Sequence, residues 1–153
     1  MAWLRRHAWW GLLALGVIFV MFGVTDMASG AAADVAIPQG LTGKTIHELE
    51  AESPDAYGLF DFMTRVNGWG LVLLGVLLTL IVLIPYRRGE RWAWWALWLL
   101  PIGFVGSAGL YLVTGLAPDQ PPPPPLAGAP ILTALCAAIL LVTRPGAETD
   151  VRR

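Results

Sequence analysis

Charge is scarce in this chain. Asp, Glu, Lys and Arg together make up 14% of its 153 residues, against about a quarter in soluble globular domains. A soluble domain of this length cannot cover its surface with so few charges, so an ordinary water-soluble enzyme is excluded. The 56% hydrophobic content likewise excludes a disordered tail. A formal net charge of −1 provides no basic field for a polyanion, and nucleic acid is not an expected partner. One cysteine, Cys136, rules out an intramolecular disulfide, a CxxC redox pair and a cysteine-based zinc cluster.

What the chain has instead is long apolar runs. Ala8–Thr25, Trp69–Tyr86, Trp92–Pro118 and Leu126–Thr143 contain no Asp, Glu, Lys, Arg or His. At about 1.5 Å per residue, an 18-residue run reaches roughly 27 Å, close to the hydrocarbon thickness of a bilayer. Backbone groups find no water there, so the runs are expected as helices. The fold class that follows is all-α: a single membrane domain over 1–153 with four transmembrane helices at about 8–25, 69–86, 92–116 and 126–143. An outer segment covers 26–68 and a proline-rich outer loop 117–126. The third run is the longest and must tilt, bend or extend beyond the hydrocarbon, and Pro101 is the expected bend.

Arginine sets the expected orientation. Arg5 and Arg6 precede the first span, Arg87, Arg88 and Arg91 lie between the second and third, and Arg144, Arg152 and Arg153 follow the fourth. The opposite side has only Lys44 and Arg65, and most of the acids: Asp26, Asp34, Glu48, Glu50, Glu52, Asp55, Asp61 and Asp119. Both termini are therefore expected in the cytoplasm. Trp3, Trp9, Trp10, Trp92, Trp94, Trp95 and Trp98 gather at the arginine side and Trp69 at the other, as in an aromatic belt. Arg5-Arg6, the first run and Ala31-Ala32-Ala33 also have the order of a signal peptide. The run exceeds the usual length, and the reading adopted is a retained helix.

The outer segment holds local signals. Ser29–Ala36 is a stretch of small residues expected to be flexible. Thr42-Gly43-Lys44-Thr45 reads as a turn. Thr45 and Glu48 form a capping box, and Ser53-Pro54 starts a helix that runs into the second span, with Gly58 and Gly68 as its weak points. Gly43-Lys44-Thr45 is not a P-loop, because Pro38 stands where the first glycine is required and no strand precedes it. His47 and Glu50 at i, i+3, with Glu48 or Asp55 near, suit a solvated acidic face better than a metal site. Pro121–Pro125 is expected as an extended polyproline spacer.

Catalysis needs positioned titratable groups, and the spans contain none. No catalytic, metal or cofactor-binding residue is assigned, and no cofactor is expected. The residues that could form a site are a rim cluster of His47, Glu48, Asp61 and Arg65, with Asp61 and Arg65 spaced as an i, i+4 ion pair. The other candidate is a packing face at Gly103 and Ser107, a small-xxx-small pattern suited to close helix approach within the bundle or with a partner. Gly75-x-x-x-Thr79 and Ala134-x-x-x-Ala138 offer similar faces. A lipid-sized cavity at the bend, lined by Tyr111 and Thr114, is the alternative to packing.

The features from Thr45-Ile46 through Leu49, Pro54, Arg65, Gly68 and Gly75 to Arg87-Arg88-Gly89-Glu90-Arg91-Trp92-Ala93-Trp94-Trp95 resemble small four-span integral membrane proteins of high-GC, actinobacterial-type bacteria. The resemblance implies a plasma-membrane location and no assigned activity. DoxX-like four-helix bundles are similar in architecture alone, and emopamil-binding-type bundles differ in carrying acids inside. The sequence thus leans towards a non-enzymatic protein acting through lipid, a membrane protein partner or its own copy. The alternative is an enzyme or lipophilic-ligand binder at the outer rim.

Reporter fusions after residues 40 and 122 should read as external, and fusions after 88 and 153 as cytoplasmic. An external C-terminus would overturn the four-span arrangement, since Arg144, Arg152 and Arg153 placed it.

Overall fold

The computed structural model describes residues 7–117 and 119–144. Trp3, Arg5, Arg6, Arg152 and Arg153, used above for orientation, lie outside the described residues. Those described form an all-α bundle: α1 (Trp9–Ser29), α2 (Ala36–Thr42), α3 (Ile46–Glu52), α4 (Pro54–Ile81), α5 (Arg91–Leu97), α6 (Leu99–Thr114) and α7 (Pro124–Val142). A 3-10 turn, Gly30–Ala33, prolongs α1, and a π-helical turn, Val82–Tyr86, prolongs α4. Four stretches are long and apolar enough to cross a membrane: Trp9–Ala33, Pro54–Tyr86, Arg91–Thr114 and Pro124–Val142. Their outward side chains are apolar, with Met21, Leu110, Val113 and Ile131 each at least 65% exposed, as lipid-facing surfaces require.

The tightest packing joins α1 to α4, and glycine makes it. The two helices run antiparallel, with Gly16 opposite Gly75 and Gly23 opposite Gly68. A Cβ on Gly23 would lie 2.5 Å from the Gly68 carbonyl oxygen, and one on Gly75 would lie 2.6 Å from that of Gly16. Each pair is seven residues from the next on both helices. Seven residues make two turns at about 3.5 per turn, so all four glycines stay on one seam. Lipid supplies no hydrophobic drive between helices, so stability comes from backbones close enough for van der Waals contact. Thr79 from the expected Gly75-x-x-x-Thr79 face sits in the same seam, where its Oγ1 would be 2.6 Å from a Cβ on Gly16.

A second antiparallel layer pairs α5 and α6 with α7. Trp94 is buried, and its Nε1 donates to the Leu140 carbonyl at 2.8 Å, satisfying an indole N–H and a carbonyl at the end of α7 together. The two layers meet in a core of Leu12, Leu15, Leu78, Val82, Trp94, Leu97, Cys136 and Leu140. Around it, Tyr86 Oη and Thr143 Oγ1 share a hydrogen bond of 2.5 Å, and the Arg87 guanidinium lies 4.5 Å from the Trp9 ring centre. The start of α1, the α4–α5 turn and the end of α7 are therefore at one end of the bundle. At the other end Gly40 receives Pro123, whose Cγ would be 2.5 Å from a Cβ there, and Ala117 N–H donates to the Gly40 carbonyl at 2.9 Å.

The third span breaks at Trp98, three residues before Pro101. The physical cause is still Pro101: it has no N–H for the Leu97 carbonyl, and its ring crowds that carbonyl. Trp98 N–H turns instead to Trp95 O at 3.1 Å. Several expectations need correction. Ser29–Ala36 is not a flexible stretch but the 3-10 turn and the start of α2, with Gly30 and Ala31 buried; residues this small tuck beneath α4. Pro121–Pro125 is not extended throughout, because Pro124 and Pro125 form the first turn of α7, where a missing N–H costs little. Gly68 is not a weak point but a contact. No described atom of another element lies within 4 Å of a Cβ on Gly103, so Gly103 makes no such contact among the described residues. Ala134 and Ala138 are exposed.

Gly68→Ala and Gly75→Ala should each lower the thermal stability of the detergent-solubilised protein, by about 1–3 kcal/mol as in other overpacked interfaces. Gly58→Ala and Gly70→Ala, on the same helix with open space around them, should match or exceed the parent, since alanine is the better helix former by about 1 kcal/mol. Equal tolerance at all four positions would mean the seam does not hold the bundle.

Candidate functional site

The α1–α4 seam carries Asp61 and Arg65 of α4 past the end of α1. Helix α1 ends at Gly30, whose φ of 56° suits a residue without a side chain. A Cβ there would overlap Asp61 and come within 2.7 Å of Arg65 Nη2. The missing side chain is the space these two groups fill.

Arg65 Nε donates to Asp61 Oδ2 at 2.8 Å. Its Nη1 donates to the Met27 carbonyl at 2.6 Å and the Ala28 carbonyl at 3.3 Å. Asp61 Oδ1 accepts from Ala31 N–H at 2.9 Å. One ion pair thus caps the last carbonyls of α1 and holds the second N–H of the following turn. A cation at a helix C-terminus also meets the negative end of the helix dipole. Beside it, Asn67 Nδ2 donates to Asp26 Oδ2 at 3.4 Å, and buried Thr64 returns its hydroxyl to the Phe60 carbonyl at 2.9 Å. At the start of α2, burial and the nearby negative charge of Asp26 push the Asp34 carboxyl above its ordinary range, against the hydrogen bond it accepts from Ile37 N–H.

The rim cluster therefore divides. Asp61 and Arg65 come together as expected, with their polar atoms committed to each other and to α1. Glu48 completes the capping box of α3: its Oε2 accepts from Thr45 N–H at 2.7 Å while Glu48 N–H donates to Thr45 Oγ1 at 3.3 Å. The bonds its carboxyl accepts from Thr45 N–H and from the Thr45 hydroxyl hold it below the usual range. Lys44 pairs with Glu52 across the same short helix. His47 is exposed; among the described residues no hydrogen bond joins it to Asp61 or Arg65. Nor do three His, Cys, Asp or Glu side chains gather there in a way that could hold a metal ion. What this end of the molecule does chemically is cap and clamp.

The i, i+4 spacing revealed the ion pair but not its reach to Met27, Ala28 and Ala31, thirty or more positions away. Gly30 carried a signal only in hindsight, as a glycine one residue past a helix. No protein family, curated protein or solved structure matches the chain.

Arg65→Gln and Asp61→Asn should lower the melting temperature and speed proteolysis within residues 26–53, whereas His47→Ala should leave both unchanged. An Arg65→Gln variant that melts with the parent would show that the clamp does not secure this end.

Proposed function

We propose that this is a non-enzymatic multi-pass protein of the bacterial cytoplasmic membrane, with both termini in the cytoplasm, that works by lateral association with another transmembrane helix. The observation that carries the reading is the contrast between two glycine-rich surfaces. On the α1–α4 seam every glycine is filled by a facing backbone. On α6, a Cβ at Gly103, Gly106 or Gly109 would meet nothing within 4 Å. Glycine inside a helix costs about 1 kcal/mol relative to alanine, and close approach of a second backbone is the compensation a membrane helix uses.

The surroundings suit that use. Ile102, Val105, Leu110 and Val113 stand exposed beside these glycines at 59–87%, giving ridges that flank a shallow furrow. The break at Trp98 sets α6 apart from α5, so its face is presented independently of the Trp94 anchor. At the outer rim Glu48, Asp61 and Arg65 are taken up in capping, which favours association over rim chemistry. Orientation rests on the arginines, since Arg87, Arg88, Arg91 and Arg144 occur at one end together with the start of α1.

Gly103→Leu is the test. The purified monomer should melt as the parent does, because the side chain enters open space. Cross-linking in native membranes through a cysteine placed at Ile102 should capture a second helix in the parent and lose that product in the variant. An unchanged product, or none in the parent, would leave this face against lipid alone.

A further inference from the structure

The α4–α5 turn carries three arginines, Arg87, Arg88 and Arg91, and one carboxylate, Glu90. Such a turn would ordinarily neutralise itself in part. Here Glu90 Oε2 accepts from Trp92 Nε1 at 2.6 Å. Among the described residues, no carboxylate lies within ion-pair distance of the three arginines. Arg87 is turned onto the Trp9 ring; Arg88 and Arg91 are exposed. The result, among the described residues, is a cationic pair without a carboxylate counter-ion at one end of the bundle.

Directly beside it is a shallow depression of about 300 Å³, lined by Leu80, Ile81, Ile84, Pro85, Glu90 and Trp92. All but Glu90 are apolar. The depression exists because α4 widens into the π-helical turn Val82–Tyr86 around Pro85, where Arg87 N–H reaches the Val82 carbonyl five residues back at 3.3 Å. Leu80, Ile84 and Trp92 are about half exposed, so the slot opens sideways on the apolar flank of the span. Trp92 stands at its charged end, the position an indole takes between hydrocarbon and headgroup.

We infer that this turn is a binding site for an anionic phospholipid, with an acyl chain in the Leu80–Ile84–Trp92 slot and the phosphate held by Arg88 and Arg91. The guanidinium fork matches phosphate oxygens, and clusters of arginine at a span's end attract anionic headgroups. A zwitterionic headgroup brings its own cation to the arginines and loses part of that attraction. A soluble phosphate makes no use of an apolar slot that opens towards the bilayer. This site is on the opposite end of the bundle from the ion-pair clamp and does not depend on the association proposed for α6.

The test is native mass spectrometry of the full chain in detergent, titrated separately with phosphatidylglycerol and phosphatidylcholine. The first phosphatidylglycerol should bind roughly tenfold or more tightly than phosphatidylcholine, the order expected for two arginines facing an anionic lipid. Arg88→Gln with Arg91→Gln, both at exposed positions, should abolish the preference without shifting the melting curve. Ile84→Trp, which fills the slot, should weaken the first binding event for both lipids while leaving the arginines in place. Equal binding of the two lipids would overturn the site, as would a preference that survives the double arginine variant or an Ile84→Trp variant that binds like the parent. Displacement of the bound lipid by inorganic phosphate at millimolar concentration would assign the arginines to a soluble anion instead. If the double variant melts early, loss of the preference in the parent at high salt, with melting unchanged, decides the same question; a preference that persists there overturns the electrostatic contact.

Discussion

Two pairs of glycines, Gly16 with Gly75 and Gly23 with Gly68, bring the α1 and α4 backbones into contact, and the remaining geometry follows from how little room that leaves. With side chains at these positions the axes would separate, and Asp61 and Arg65 would no longer reach Met27, Ala28 and Ala31. The turn after α1 would then have unsatisfied N–H and carbonyl groups at the membrane surface, where each unpaired group is costly. The seam and the clamp are therefore one device. Close approach delivers the ion pair to the end of α1, and the ion pair fixes the register in which the glycines face each other.

Proline shapes the bundle in three different ways, and each follows from the missing N–H and the fixed ring. Pro85 sits within a π-helical turn and opens the chain towards the α4–α5 connection. Pro101 leaves the Leu97 carbonyl without its helical donor, and the span separates into α5 and α6. Pro124 and Pro125 occupy the start of α7, where no donor is needed, while buried Pro123 fills the space above Gly40. In the first layer α1 has no proline, and α4 has Pro54 at its start and Pro85 only in the π-helical turn that prolongs it. Close backbone contact is thus concentrated in α1–α4, and the second layer is fastened to it at the two ends.

The parts legible in the sequence were those governed by local rules. Spans came from the absence of charge, the capping box from Thr45 and Glu48, the start of α4 from Ser53-Pro54, and the bent third span from Pro101. The Asp61–Arg65 pair was visible because i, i+4 spacing is local. What escaped were relations between distant residues. The heptad of Gly16 and Gly23 matches that of Gly68 and Gly75, but only pairing the two spans antiparallel makes the match meaningful. The small residues of Ser29–Ala36 read as flexible because their partners lie on α4. Pro121–Pro125 read as one extended unit because nothing in a five-proline run marks where a helix begins. Gly103 and Ser107 fit the same small-residue pattern as Gly75 and Thr79, yet among the described residues Gly75 is filled by α1 and Gly103 faces open space. Pattern alone does not distinguish a contact already made from one left open.

That difference bears on how such a chain can act. Its interior is apolar apart from hydroxyls, one thiol and indole N–H groups, and hydroxyls such as Thr64, Thr114 and Thr143 return to carbonyls one turn back. The charged groups sit at the two ends, and at the acidic end Glu48, Asp61 and Arg65 are already committed to helix caps. The surfaces left uncommitted are lateral: the open glycines of α6 and the arginine turn beside its apolar slot. In the arrangement proposed above, both face the bilayer rather than the water on either side. Open glycines and arginines without a carboxylate partner among the described residues, set on that boundary, suit recognition within the plane of the membrane. The partners proposed for them are accordingly the molecules that share that plane, other helices and lipids.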